Sequence, residues 1–187
     1  MAEPHFVFEI VRVGSEALAK AELSDAFPHL RLAFSRPGLL TFKDPGGALD
    51  ETFGGALVFA RVSGRSLGLE SGGAAAIVAR IPREACALHV FPRAPAEEPS
   101  EAAALATLAA TLEAEVRALA GARARPPGPL AVGDLVLDVA VAPGEASFVG
   151  VHRHAHGRWT TPGGLVSTVV RAAAPSRAYR KLDEALA

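Results

Sequence analysis

Alternation and helical spacing of apolar positions divide the first third of the chain into five predicted elements. Residues 6–13, FVFEIVRV, predict a short apolar strand. Apolar residues then recur at i, i+4, i+7 and i+8 from Ala19, which predicts an amphipathic helix. In LRLAFS, Leu30, Leu32 and Phe34 alternate with polar or small residues, as in a half-buried strand. The turn RPG returns the chain into LLTF, and ALVFARVSGRS supplies a further strand.

The order of these elements predicts a small α+β module over residues 1–70. The stretch ESGG at 70–73 is a candidate boundary. Beyond it, ALHVFPR predicts a strand that ends at Pro92, and DLVLDVAVA and ASFVGVHRHA flank the turn PGE as a β-hairpin. A stretch rich in Gly, Pro and Thr, 158–175, is expected to cross the fold, with one short strand around 165–170.

A long helix around residues 100–120 is the clearest element in the sequence. Ser100 is predicted to cap its N-terminus, and Gly121 its C-terminus. We expect Glu113 and Arg117, four residues apart, to form a solvated ion pair with no further role. Apolar residues at spacings of 3, 4, 4 and 3 predict a core-facing stripe, made of Leu105, Leu108, Leu112, Val116 and Leu119.

Composition indicates an ordinary globular protein whose charges are unevenly distributed. The 187 residues are 50% hydrophobic and 21% charged, and the formal net charge of -1 alone suggests no nucleic-acid partner. From Gly150 onward, however, there are six Lys and Arg residues against two acids, whereas the preceding part has 13 against 18. The C-terminal part therefore carries a charge of about +4 and the body about -5. No apolar run approaches the ~20 residues that cross a membrane, so no membrane partner is expected.

Cys86 is the only cysteine, which excludes a disulfide framework or a cysteine-rich zinc site within one chain. With an N-terminus that lacks a signal-peptide pattern, this predicts a cytoplasmic protein. We expect Cys86 to be a buried structural thiol. The catalytic signatures GxGxxG, GxxxxGKS/T, HExxH, CxxC and GxSxG are absent from the sequence.

The stretch HRHAHGRW concentrates residues that can bind metals or nucleic acids. On a strand, His152, His154 and His156 would project to one face. Neighbours on one face lie nearly 7 Å apart, so three in a row rarely converge on one ion, and we expect no metal. Two interpretations remain, an exposed strand end without a ligand and a cluster that contacts phosphates or bases. The second interpretation adds Arg153, Arg158 and Trp159 to His152 and His154.

The stretch PSRAYRKLDEALA, residues 175–187, predicts an amphipathic helix on which Arg177 and Lys181 share a face. Spacing alone fits a helix with solvated cations. The segment SRAYRKLDEA, however, resembles the helix that opens the catalytic domain of FtsJ-type ribose 2'-O-methyltransferases. Those domains begin with Ser-Arg, an aromatic or small residue, and Lys-Leu-x-Glu. The resemblance implies that Lys181 is the first member of a Lys-Asp-Lys-Glu catalytic set.

The preceding chain is similar to one subfamily, the RlmM-like enzymes, which modify a cytidine ribose in bacterial large-subunit ribosomal RNA. RPGLLTF, VGVHRH, RWTTPGG and APSRAYRKLDEA follow one another in that order. The resemblance implies a ferredoxin-like module over 1–70 and a THUMP-like RNA-binding domain over 73–170. It also implies that 171–187 begin a Rossmann-like methyltransferase domain, of which this chain holds only the first helix. The fold class expected is therefore α+β.

The resemblance also implies what the chain binds. The partner would be ribosomal RNA, held through the basic end by Arg171, Arg177 and Arg180 with the residues of the histidine stretch. The family's cofactor loop, an Asp-x-Gly run ending in Pro-Gly-Gly, is missing from the sequence. The stretch TTPGG at 160–164 is no substitute, because it precedes the helix. We therefore expect S-adenosylmethionine to bind only the full-length enzyme, with the missing catalytic domain in cis, and residues 1–187 to be inactive alone. The alternative is a stand-alone α+β module that binds RNA or protein without enzymatic activity.

Overall fold

The computed structural model describes residues 5–54, 57–94, 96, 98–155 and 160–164. The fold is α+β, as expected from the sequence. The helices and strands, in chain order, are β1 His5–Val11, α1 Glu16–Ala26, β2 Arg31–Arg36, β3 Leu39–Asp44, β4 Ala60–Glu70, α2 Gly73–Arg80, β5 Ala87–Pro92, α3 Pro99–Ala120, β6 Leu135–Val141 and β7 Ser147–Arg153.

The seven strands form one sheet in the order β2-β3-β1-β4-β7-β6-β5. Neighbouring strands are antiparallel except for the parallel pair β5–β6. Strands β1 and β2, joined by α1, form a split βαβ unit because β3 lies between them. The ranges 1–70 and 73–170 both contribute strands to this sheet, and the boundary at 70–73 falls between β4 and α2. Their assignment as separate domains stays a prediction.

All three helices pack on the same face of the sheet. Val7 of β1 packs with residues of α1, and Val151 of β7 packs with residues of α2 and α3. Both valines lie opposite Arg65 of β4 in the register of the sheet. Because directly opposed residues in a sheet share a face, the two helical layers lie on one side.

We call the other side of the sheet the helix-free face, because no described α-helix covers the strands there. On this face, side chains of the strands pack against one another and form a separate hydrophobic core. Leu39 of β3 and Phe91 of β5, from opposite halves of the sheet, belong to this core together with Phe8 and Phe148. The rings of Phe8 and Phe148 are 5.0 Å apart. A Cβ atom at Gly150 would lie 2.5 Å from the Phe8 ring, so glycine is required there. The helix-free face is therefore concave.

A register shift in β2 overturns the predicted alternation of that strand. Leu32 lies opposite Phe42, but Phe34 lies opposite Thr41, so Ala33 is an extra residue on β2. An inserted residue reverses the faces of the side chains that follow it. Leu32 therefore faces the helical side, where 51% of it is exposed, and Phe34 faces the helix-free side. The expectation that Leu32 and Phe34 share one face was wrong.

Two helix starts differ from the expectation. Helix α2, which was not predicted, begins at Gly73 and buries Ala74 and Ile77, and this spacing of three is visible in the sequence. Helix α3 begins at Pro99, with no side-chain cap, so the predicted cap at Ser100 was wrong. Proline is favoured at the first helical position because its missing N–H needs no partner there.

The apolar stripe of α3 is only partly core. Leu108 and Leu119 are 41% and 58% exposed, whereas Ala109, Val116 and Ala120 are buried. The helix is thus rotated from the predicted stripe so that small side chains approach the sheet, which allows close packing. The predicted end is confirmed, because Gly121 caps the helix with a φ of 55°.

The β6–β7 hairpin is confirmed. The turn Pro162–Gly164 contacts β4, β5 and β6, so the described part of the predicted crossing stretch lies on the sheet. A Cβ atom at Gly163, which has a φ of 65°, would lie 2.5 Å from the Phe91 ring. The strand predicted around 165–170 and the helix predicted over 175–187 lie outside the described residues. Within the described part of the chain, no helix has the length and apolarity needed to cross a bilayer.

Candidate nucleic-acid interface

The strands β1, β2 and β3 place two aromatic and three cationic side chains on the helix-free face. Phe6 and Arg31 both lie opposite Lys43, Phe34 lies opposite Thr41, and Arg36 lies opposite the buried Leu39 of the concave core. The cations are exposed, as is 38% of Phe6. We call this set the aromatic–cationic patch, and its members are Phe6, Arg31, Phe34, Arg36 and Lys43.

An apolar groove of about 330 Å³ runs between the two aromatic residues of the patch. Phe6 and Phe34 line it together with Leu69 of β4 and Phe148 of β7. Leu69 is 47% exposed, so part of this apolar lining faces solvent. The volume lies at the lower end of the range for small-molecule sites, which is enough for a single planar ring system.

The cations of the patch keep their charge available. Among the described residues, no acidic side chain lies within ion-pair distance of Arg31, Arg36 or Lys43. The guanidinium of Arg31 donates to the carbonyl oxygens of Pro28 and Leu30, at 2.9 and 3.3 Å. That of Arg36 lies 4.8 Å from the centre of the Phe34 ring, a cation–π contact. Carbonyl and ring contacts position these groups without neutralising them.

The acid that interacts electrostatically with Arg36 is already paired. Glu145 accepts two hydrogen bonds from the guanidinium of the buried Arg93, at 2.8 and 3.0 Å. These bonds, with the charges of Arg93 and Arg36, lower the pKa of Glu145. Because Arg93 satisfies that carboxylate bidentately, Arg36 is left to attract another anion.

Of the residues predicted to contact RNA, Arg153 lies in the described region and forms an ion-pair network. Its guanidinium donates to both carboxylate oxygens of Glu84, at 3.2 and 2.9 Å, and to the carbonyl of Gly133. Glu51 lies 3.8 Å away. The hydrogen bond to Glu84 and the neighbouring acids raise the pKa of Arg153 and keep it charged. This arrangement connects the end of β7 to three loops, those that hold Glu51, Glu84 and Gly133.

His152 belongs to a buried polar cluster that three neighbouring strands assemble. Nδ1 of His152 on β7 and a carboxylate oxygen of Asp138 on β6 are 2.5 Å apart, a hydrogen bond in which the ring nitrogen donates. His89 on β5 lies opposite Asp138, with its Nδ1 3.9 Å from the other carboxylate oxygen. Asp138 is fully buried, and burial lowers the pKa of His89. Sequence reasoning missed His89, since only the strand order brings it to this carboxylate.

His154 lies just after β7 and is also buried, with 6% of its surface exposed. Burial and the nearby His152 lower the pKa of His154. The interpretation of this stretch as an exposed strand end was therefore wrong for His152 and His154. Contact of these residues with RNA stays a prediction. The other predicted site residues lie outside the described part of the chain. They are Arg158, Trp159, Arg171, Arg177, Arg180 and Lys181, and His156 lies outside it too.

Neither a metal centre nor a reactive thiol is found in the described part of the chain. No group of three or more His, Cys, Asp and Glu side chains there has the geometry to hold a metal ion. Cys86 is buried, as predicted, and burial raises the pKa of its thiol. A protonated, buried thiol is a poor nucleophile, which fits a structural role.

A second cleft, of about 410 Å³, lies beside the edge strand β5 and is lined by His89, Glu113, Arg117 and Arg125. Arg117 bonds to Glu113 at 2.8 Å and also donates to the carbonyl oxygens of Arg125 and Leu88, at 2.7 and 3.1 Å. Arg125 is held bidentately by Asp134. The Glu113–Arg117 pair was thus wrongly expected to have no further role, because Arg117 ties α3 to β5. The guanidinium groups of Arg117 and Arg125 therefore stabilise the fold.

No protein-family model matches this chain. No curated protein matches it either. Among solved structures, it is similar to a possible methylase from Clostridium difficile 630, with a TM-score of 0.41 and 9% sequence identity. The match covers 80% of this chain and 41% of that one, so the chain spans less than half the length of the structure it matches. A similarity of this degree carries no inference about activity.

Proposed function

We propose that this chain is the RNA-binding part of an S-adenosylmethionine-dependent ribose 2'-O-methyltransferase that acts on a cytidine of large-subunit ribosomal RNA. The observation that carries RNA binding is the aromatic–cationic patch, where Arg31, Arg36 and Lys43 surround two partly exposed rings. Cations on an open sheet face attract phosphates, and the rings offer stacking surfaces. The methyltransferase context is supported by the sequence resemblance of SRAYRKLDEA alone.

In this proposal the work of the enzyme is divided. The patch and the basic end, with Arg171, Arg177 and Arg180, hold RNA by its phosphates. Lys181 then acts on the ribose 2'-hydroxyl, where an ammonium stabilises the developing alkoxide or a neutral amine accepts the proton. The residues of TTPGG do not fit a cofactor loop, since the described turn packs its Gly163 against Phe91. We therefore assign no cofactor site to this turn.

The test is the salt dependence of RNA binding, measured by fluorescence anisotropy with a labelled fragment of large-subunit ribosomal RNA. We expect weak binding and a slope of log K against log salt on the order of -2 to -4, because few phosphates are neutralised. Replacing Arg31, Arg36 and Lys43 with Gln should make the slope shallower by about 2. Replacing Arg171, Arg177 and Arg180 with Ala should remove most of the remaining affinity.

A matched control removes the same charge elsewhere. Lys20 on α1, Arg83 in a loop and Arg123 in the short 3-10 turn after α3 all lie outside the patch. Their combined replacement with Gln should leave the slope nearly unchanged. Equal losses for both triple variants would show that RNA responds to net charge only and would contradict the patch as the binding surface.

The stand-alone alternative makes a different expectation. The stand-alone module binds RNA or protein without enzymatic activity, and only its protein-binding form would show no salt-dependent affinity for ribosomal RNA. The patch makes RNA the better-supported ligand of the two, because among the described residues no acidic side chain lies within ion-pair distance of its cations.

A further inference from the structure

We infer that the groove of the aromatic–cationic patch binds unpaired bases, so that the RNA ligand of this chain includes a single-stranded segment. This inference rests on the proposed function and names the form of RNA that the site takes. It begins from the groove between Phe6 and Phe34, about 330 Å³ in volume and mostly apolar in its lining.

The register of β2 is what creates the groove. Because Ala33 is inserted, Phe34 leaves the helical side and joins Phe6 on the helix-free face. Phe6 remains 38% exposed and Leu69 47% exposed. Large apolar side chains left in contact with water on a single patch indicate an interaction site.

The charges around the groove select its occupant. Lys43 lies opposite Phe6, and Arg36 lies over the ring of Phe34. The residues of β1, β2 and β3 on this face include no Asp or Glu. An apolar peptide has no group that these cations would bind. A nucleotide has a flat base that fits the groove and a phosphate that the cations attract.

The shape of the groove favours unpaired over paired nucleotides. In a duplex the faces of the bases are covered by their neighbours, and the A-form major groove is too narrow for side chains to enter. Only a base that has left its stack can lie against Phe6 or Phe34. Two rings provide surfaces for one or two bases.

The experiment compares a single-stranded RNA oligonucleotide that carries 2-aminopurine with the duplex of the same sequence, using the full 187-residue chain. We expect quenching of 2-aminopurine and tighter binding for the single strand. Phe34→Leu keeps an apolar side chain but removes the ring, and it should weaken single-strand binding about 5- to 100-fold. Phe6→Leu is the second variant, at a position that is 38% exposed.

Leu32→Ala is the control, since Leu32 lies on the same strand as Phe34, is exposed and faces the other side of the sheet. It should bind as the parent does. Unchanged affinity and quenching in both Phe variants, with RNA binding retained, would overturn the inference and leave the proposed function intact. Absence of RNA binding by the parent chain at low salt would reject the proposed function and this inference together. A dimer in sedimentation that Phe34→Leu dissolves would assign the groove to a second copy instead.

Discussion

Nδ1 of His152 donates a hydrogen bond to the carboxylate of Asp138, and both side chains are buried between neighbouring strands of the sheet. Breaking a buried pair leaves one polar group without compensation, so His152→Leu should lower the free energy of unfolding by about 3–5 kcal/mol. The double variant with Asp138→Leu should recover much of that loss, because no charge is then left buried. Urea unfolding of the two single variants and the double variant completes the cycle. Purely additive losses would show that the two residues do not interact.

Acid should destabilise the protein before its carboxylates titrate. His89 and His154 have pKa values lowered by burial from the ordinary 6.5. The unfolded state therefore binds more protons below pH 6.5, and the free energy of unfolding falls as the pH drops through the lowered pKa values. Above about pH 6.5 the contribution is complete.

The measurement for this acid effect is urea unfolding between pH 7.5 and pH 5. Groups that act on His89 include Asp138 and His152 on neighbouring strands and Glu113 and Arg117 on α3. Gln at position 89 cannot be protonated, so His89→Gln should make the pH profile shallower and leave only the contribution of His154. A profile for His89→Gln as steep as that of the parent would show that His89 is not the source.

Arg117 should matter more for stability than the acid beside it. Its guanidinium joins Glu113 on α3 to the carbonyl oxygens of Leu88 and Arg125. Arg117→Met removes all three contacts and should cost about 2–3 kcal/mol, since hydrogen bonds to charged groups are the stronger ones. Glu113→Gln removes only a helical ion pair and should cost less than about 1 kcal/mol. If thermal unfolding showed equally small losses of stability for Arg117→Met and Glu113→Gln, the two residues would form only a solvated ion pair.

Local sequence patterns predicted most of the helices and strands. The wrong or missing predictions for Phe34 and His89 concern features that pairing between strands determines. The strands and α3 follow from spacing within a few residues, and the spacing of Ala74 and Ile77 would also have given α2. The extra residue at Ala33 is set by pairing with β3, so alternation placed Phe34 on the wrong face. His89 has no local signal at all, since only the order β7-β6-β5 brings it to Asp138.

Lys181 should be required for methyl transfer in the complete enzyme that the resemblance implies. Lys181→Ala should abolish ribose methylation while RNA affinity stays within a few-fold, because only a contact made in the transition state is lost. Methyl incorporation into undermethylated large-subunit RNA measures the reaction, and filter binding measures affinity. Near-normal turnover in this variant would reject both the role of Lys181 and the family resemblance.

The central claim is that RNA binds the helix-free face of β1, β2 and β3. An NMR titration of the isotope-labelled chain with single-stranded RNA tests it most directly, because each backbone amide reports separately. The account predicts that the largest shift changes among the described residues cluster at Phe6, Phe34, Arg36 and Lys43, with little change along α1 and α3. Changes confined to the helical side, or none at all at saturating RNA in low salt, would contradict it.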